Sequence, residues 1–374
     1  MNVLVVTVVH TPLDARIYHR QIRSLREAGH SVTYAAPWSA TGTAQPSADE
    51  LSTLDLPRAR GRRRFSALRA ARRLLHRVGS GYDLILLHDP ELLLAIIGRR
   101  RGLPPVVHDV HEDTATSLID RPWLPAPLRR ITAWGVRRIE RWAEGRVHLL
   151  LAERSYQERF RRQHPFVPNV PPRPVDQPPP PGDQRVVYLG RIARSRGAVE
   201  ILAVAAAMHD TFTFELFGEV DADVAPLLHS AVEQGHVLWR GFVPNAEALP
   251  MVEGALAGLS LVHPQPNHAG SLQTKVLEYL SRRVPVISTD LPVTGAFIRQ
   301  HDVGLVVPSE DPGAVQAAIR DLHENPRRRR EMADHGFALV REQLNWELAG
   351  AAFVATLQEI ARGSESDGVR TDGG

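Results

Sequence analysis

The chain has 374 residues, a formal net charge of +3, 43% hydrophobic and 23% charged residues, the balance of a folded enzyme of two or three domains and not of a disordered chain. It contains no cysteine, which excludes a disulfide scaffold, a thiolate nucleophile, a zinc ribbon and an iron–sulfur cluster. No apolar run approaches the ~20 residues that span a bilayer, and MNVLVVTVVH reads as a buried first strand and not as a signal peptide, so a cytoplasmic location is expected.

Along the first half, short apolar runs at 2–9, 31–36, 83–88, 105–108 and 147–151 predict strands. They show little alternation, as parallel strands covered on both faces should. Helical patterns lie near 16–28, 64–78, 91–101 and 126–144. The stretch PNVPPRPVDQPPPPG, residues 168–182, is too rich in proline for helix or central strand and predicts an extended linker. Beyond it the plan repeats, with strands at 185–190, 212–217, 236–240, 257–262, 284–288 and 304–307. Helices are predicted near 197–208, 222–233, 272–281, 313–324, 327–341 and 347–361. The expected class is α/β, two doubly wound Rossmann-like domains facing a cleft. The expected boundaries are 1–167 for the first domain, 168–182 for the linker and 183–345 for the second domain. A C-terminal helix at 346–361 could pack back on the first domain, and 362–374 reads as a polar, disordered tail.

Charge is uneven. Residues 1–172 hold 27 basic and 16 acidic side chains, whereas 173–374 hold 18 and 26. Such asymmetry points to an anionic partner for the first half. Residues 58–77 carry nine arginines and no acid, with Phe65, Leu68, Leu74 and Leu75 as a partial apolar stripe. The segment could meet an anionic membrane surface or be a hydrated helix. No nucleic-acid recognition motif accompanies the charge. Of the 45 basic residues only Lys275 is lysine; a lysine offers phosphate a compact point charge that an arginine fork does not reproduce.

Ligands of doubly wound sheets sit at the carboxyl ends of strands, so residues just after the predicted strands are the candidates. Gly270, Ser271 and Leu272 lead into a helix carrying Lys275 and Glu278 on one face. Backbone N–H groups at such a start suit a diphosphate, and an acceptor-only carboxylate suits a diol. Gly190-Arg191 and Arg196-Gly197 follow strand 185–190, and Arg240-Gly241-Phe242 follows strand 236–240. In the first half, Asp14 and Arg16 follow the first strand, His88 and Asp89 end the third, and His111 lies in VVHDVHED after the fourth. Asp89 before Pro90 reads as a helix N-cap. Asp221-Ala222-Asp223 opens a predicted helix, where acids complement the dipole. His108 and His111 are three apart, but no third metal ligand is evident.

Four stretches carry a family resemblance: DARIYHRQIRSLREAGHSVTYAAP at 14–37, HDPELLLAIIGRRRGLPPVVHDVHED at 88–113, YLGRIARSRG at 188–197 and GSLQTKVLEYLSRRVPVISTD at 270–290. In order and spacing the chain resembles glycosyltransferase family 4, retaining nucleotide-sugar enzymes of the GT-B fold. It is most similar to the bacterial branch that builds surface polysaccharides and natural products. The resemblance implies transfer of a sugar from a nucleoside-diphosphate donor (UDP- or GDP-sugar) with retention, no cofactor beyond that co-substrate and no metal. It implies catalytic roles for His111, Arg191, Arg196 and Lys275. It implies donor binding by Gly190, Arg240, Gly241, Phe242, Gly270, Ser271, Leu272 and Glu278, with Glu278 on the ribose hydroxyls. Asp14, Arg16 and His88 are assigned to the acceptor side. The chain departs from the family pattern twice: Gly270 stands where many relatives carry a second Glu, and HTPLDARIYH replaces a Gly-Gly loop. Two alternatives stay open, a nucleotide-sugar epimerase of the same fold and a non-catalytic sugar-nucleotide-binding subunit.

Overall fold

The computed structural model describes residues 1–77, 81–98, 103–111, 113 and 126–368. It divides into two compact units, Met1–Asn169 joined by the segment from Leu348, and Val170–Glu347.

The first unit is built on six parallel strands: Asn2–Val6 (β1), Ser31–Ala36 (β2), Ser52–Asp55 (β3), Leu84–Leu87 (β4), Val106–Val110 (β5) and His148–Leu151 (β6). Their order is β3-β2-β1-β4-β5-β6. The central strands are apolar runs buried along their length, with Leu84–Leu87 wholly inside, because helices cover both faces. β3 was not predicted: it is a polar, largely exposed edge strand. The predicted helix 16–28 begins as a π-helical turn, Ile17–Ile22, and continues as Arg23–Glu27. Of the predicted helix 91–101, Leu92–Ala95 forms; residues 99–102 lie outside the described residues, as does Val78 at the end of the predicted helix 64–78.

The second unit repeats the topology with Arg185–Leu189 (β7), Thr213–Phe217 (β8), Leu238–Trp239 (β9), Ala257–Ser260 (β10), Val286–Thr289 (β11) and Gly304–Val307 (β12). The order is β12-β11-β10-β7-β8-β9, again all parallel. In each sheet the order reverses beside the first strand, between β1 and β4 and between β7 and β10, and these switch points are where such sheets open to ligands. The helices Asn245–Met251 and Pro292–His301 were not predicted. Residues 168–182 contain neither helix nor strand. The helix Trp346–Gly368 runs seven residues beyond its predicted end at 361, and the rest of the expected tail, 369–374, lies outside the described residues. From Ala349 this helix buries Phe353 and Leu357, and Gln358 meets His30 of the first unit at 3.1 Å.

Candidate functional site

In the second unit, β7 and β10 pair only at Ala257–Val186 and Gly258–Val187 and then diverge. Tyr279 fills the opening. Its hydroxyl accepts from Leu189 N–H at 2.7 Å and donates to the Leu259 carbonyl at 3.1 Å, replacing ladder bonds that the diverging strands cannot make. Its ring lies where a side chain at Gly258 would stand. The glycines at this strand end are required by contact. A Cβ on Gly218 would lie 2.0 Å from the Gly190 carbonyl oxygen, and its φ is +145°. Gly218→Ala is therefore expected to destabilise by about 2–5 kcal/mol, through overpacking and backbone strain together, seen as a lower thermal midpoint. Gly197, at φ +78°, packs against the Leu261 carbonyl.

Lys275 is the second residue of the helix Thr274–Ser281, which has no side-chain N-cap. It is buried, with Nζ 3.8 Å from the Tyr188 ring centroid and 3.5 Å from the position a Gly190 Cβ would take. Nζ has no hydrogen-bond partner among the described residues. Burial, then the charge of Arg196, hold its ammonium well below the usual lysine range, with Glu278 opposing. A buried cation without a partner is costly, and an arriving anion would relieve it. Glu278, also buried, accepts from Asn245 Nδ2 at 2.9 Å, a partner on a helix that was not predicted.

The other expected donor contacts are placed unevenly. Arg191 is exposed and ion-paired with Asp221, and Arg194 lies 3.6 Å from Asp223. The Asp221-Ala222-Asp223 acids thus face arginines, and the helix they were expected to open begins later, at Ala225. Arg240 donates to Glu215 at 2.7 Å, while Phe242 is 69% exposed and Gly241 takes the left-handed conformation at φ +68°. Gly270, Ser271 and Leu272 are half-buried ahead of the helix, and the Ser271 carbonyl accepts from Thr294 Oγ1 at 3.2 Å.

In the first unit, the switch point gathers histidines and aspartates. Arg16 is buried and grips Asp109 with two hydrogen bonds, at 2.7 and 2.8 Å, and also donates to the Val167 carbonyl. Gln21 donates to the same carboxylate at 2.9 Å. Burial alone would raise the Asp109 carboxyl; the Arg16 guanidinium, with His111 and His88, holds it well below the usual carboxylate range. Arg16 and His88, both expected on the acceptor side, are 3% and 2% exposed. Asp14 is engaged locally, its carboxylate accepting from the Arg16 and Ile17 amides and starting the π-helical turn.

Asp89 corrects an expectation. Its carboxylate does not cap the helix that follows. It crosses to the end of β1 and accepts from Thr7 Oγ1 at 2.9 Å, from the Val8 and Val9 amides and from His10 Nδ1 at 2.8 Å. His10 was missed by sequence reasoning, although its place just after a central strand was the available signal. Its Nε2 lies 3.1 Å from His111 Nε2.

Among the described residues, His88, Asp109 and His111 each bring one ligand atom within 4.8 Å of the others. Both oxygens of Asp109 already serve Arg16, so this group fits a metal poorly.

The arginine segment is also reassigned in part. In the helix Arg64–Arg77, Ala67, Ala71 and Leu75 are buried, with Leu68 and Leu74 packed on the core. Of the apolar stripe only Phe65 is left exposed, at 81%. Arg58, Arg60, Arg62 and Arg63 line, with Ala40, a shallow pocket of about 400 Å³.

The family model for a glycosyl transferase 4-like domain matches residues 15–170, and the model for glycosyl transferases group 1 matches residues 183–325. Over 166 residues, 44% of this chain, the sequence is 28% identical to "Putative teichuronic acid biosynthesis glycosyltransferase TuaC" of Bacillus subtilis (strain 168). That match spans 40% of the relative's own length. The fold is similar to that of sucrose-phosphate synthase from Thermosynechococcus elongatus, with a TM-score of 0.75, 18% identity, and 96% and 98% of the two chains covered. It is also similar to Anabaena HepE in complex with UDP-glucose, with a TM-score of 0.68, 13% identity, and coverage of 96% and 100%. No helix among the described residues is long and apolar enough to cross a membrane. The two family models between them account for most of the chain, and with the doubly wound fold of both units they make it a member of the family 4-type glycosyltransferases, on the GT-B fold.

Proposed function

We propose that this chain transfers a sugar from a nucleoside-diphosphate sugar, UDP- or GDP-linked, to an acceptor, with retention at the anomeric carbon and without a metal. The observation that carries the reading is Lys275: a buried ammonium with no hydrogen-bond partner, beside Gly190 at the switch point of the second unit. A diphosphate there would meet Lys275, with Arg196 adding charge and the uncapped helix start adding N–H groups. Arg191 would join by leaving Asp221. Glu278 would accept from the ribose hydroxyls while Asn245 holds its carboxylate in place.

In this reading the bond from the anomeric carbon to the leaving phosphate oxygen breaks as positive charge develops on the sugar. The cations stabilise the departing diphosphate. The leaving oxygen takes the acceptor's proton on the same face, so no protein nucleophile is needed. The family resemblance also gives His111 a catalytic role. That a protein of similar fold, Anabaena HepE, is found in complex with UDP-glucose supports the donor class. Contact of the arginine segment with anionic lipid would rest on charge and on Phe65, since the rest of its apolar stripe faces the core, and would be salt-sensitive.

A panel of nucleotide sugars tested by thermal shift identifies the donor, because a binder raises apparent stability by mass action. Donor hydrolysis or transfer then separates a transferase from a non-catalytic binder, and a changed sugar on an intact nucleotide would indicate an epimerase. Glu278→Gln is expected to weaken donor binding by about 1.5–3 kcal/mol, the value of a charge-assisted hydrogen bond, with the fold retained. Unchanged affinity in calorimetry would remove Glu278 from the donor site.

A further inference from the structure

We propose that His10 and His111 act as one unit that shares a single extra proton between Asp89 and Asp109, with His10 a positioning residue that sets the protonation of His111. The argument is a count of hydrogens. His10 Nδ1 lies 2.8 Å from Asp89 Oδ1, and a carboxylate only accepts, so this nitrogen carries a proton. His111 Nδ1 lies 3.1 Å from the Asp109 carbonyl and 3.4 Å from Asp109 Oδ2, again acceptors only, so it too carries one. The two Nε2 atoms are 3.1 Å apart. Two bare nitrogens at that distance would set lone pair against lone pair, and two N–H groups would set proton against proton, so one proton lies between them. Two neutral imidazoles carry two ring protons. This arrangement holds three, and hence one positive charge.

The surroundings favour that charge. Asp89 is held to about 2: burial opposes, but the His10 contact, the Val8 amide and the Thr7 hydroxyl outweigh it. Asp109 is likewise ionised and balanced by Arg16. Behind the pair, burial lowers His88 and takes His108 down to about 4, so neither ring competes for the proton. Glu91, another acid facing His10, is ion-paired with Arg64. The first unit thus places a shared, relocatable proton at the carboxyl ends of β1 and β5, with both rings partly open to solvent, at 17% and 11%. Its loss would turn the Nε2–Nε2 contact repulsive, so the charge and the position of His111 are coupled through His10.

The inference concerns the free protein, so its failure leaves the transfer reading intact, and the donor-binding tests do not bear on it. The test is long-range ¹H–¹⁵N spectroscopy of the full chain labelled with ¹⁵N-histidine. At neutral pH the wild type should show both Nδ1 atoms protonated and one proton averaged over the two Nε2 atoms. His10→Phe, which keeps an aromatic ring but no acceptor, should leave His111 at neutral pH with its Nδ1 proton and without the shared proton at Nε2. His10→Gln, whose Oε1 can accept, should recover most of that loss; a purely packing role would give the reverse order. Only two ring protons in the wild-type pair, a count that needs no variant, would overturn the proposal. So would an unchanged protonation of His111 Nε2 in His10→Phe. Stoichiometric Zn²⁺ uptake by the wild type that is lost in His10→Phe would overturn it in favour of a metal site.

Discussion

Lys275→Met is expected to make the donor-free protein more heat-stable and to abolish its stabilisation by a nucleotide sugar. The lysine is buried, its Nζ has no hydrogen-bond partner, and the neighbouring charge of Arg196 adds repulsion. Methionine has similar length and no charge. Relief of an unsatisfied buried polar group is worth about 1–3 kcal/mol, and each kcal/mol moves the midpoint by about 2–4 °C in a protein segment of this size. The gain should depend on pH. Because the folded-state ammonium is depressed, the unfolded chain binds more protons in the interval up to the ordinary lysine value. The penalty is therefore full below the folded-state value and fades as pH rises through that interval. The advantage of methionine should shrink in step. The same variant should lose roughly 10- to 100-fold in kcat/KM, the loss of one charge-assisted contact. Lys275→Arg should also lose turnover, since Nζ is buried against the Tyr188 ring, 3.8 Å from its centroid, and a planar guanidinium does not reproduce a compact ammonium there. A methionine variant with wild-type turnover would remove Lys275 from the mechanism.

Asp109→Asn should have the largest effect on folding in the first unit. It leaves the Arg16 guanidinium buried against a neutral amide and removes the acceptor that Gln21 also uses. Breaking one side of a buried ion pair destabilises by about 3–5 kcal/mol, which in urea should appear as a lower midpoint with an unchanged slope. The wild type should show the matching pH dependence. The Asp109 carboxyl is depressed on folding, so its contribution is complete above the ordinary aspartate value of about 3.9. That contribution is lost as pH falls toward the folded-state value, and Asp109→Asn should flatten this part of the stability curve. Equal stability of variant and wild type at neutral pH would show the pair to be dispensable.

What could be read from the sequence follows from which interactions are local. Strands such as Leu84–Leu87 announce themselves because a strand covered on both faces must be apolar throughout. β3 does not, because an edge strand with exposed side chains needs no such run. The helix Pro292–His301 escaped notice because its apolar face is short, with Thr294 and Gly295 among its buried positions. In the candidate site, Lys275 and Glu278 were visible because they share one helix. The pairing of Arg191 with Asp221, 30 residues away, has no local signature. Neither has that of His10 with Asp89, 79 residues away. Asp89 was misread for the same reason: Asp-Pro before an apolar run is a cap signal, but the carboxylate found more donors across the sheet than in its own helix.

The division of the chain bears on the order in which it folds during synthesis. The first unit is encoded in two pieces, Met1–Asn169 and the segment from Leu348, with all of Val170–Glu347 made in between. At ribosomal rates of about 5–20 residues per second, the first unit would wait on the order of 10–40 s for the helical segment that belongs to it. During that interval the second unit, a continuous stretch of chain, can complete itself as soon as it has emerged. The later segment would then close the earlier fold, so a nascent chain that has emerged only as far as Glu347 would carry a finished second unit attached to an unfinished first one, and chaperones would meet it at its oldest part.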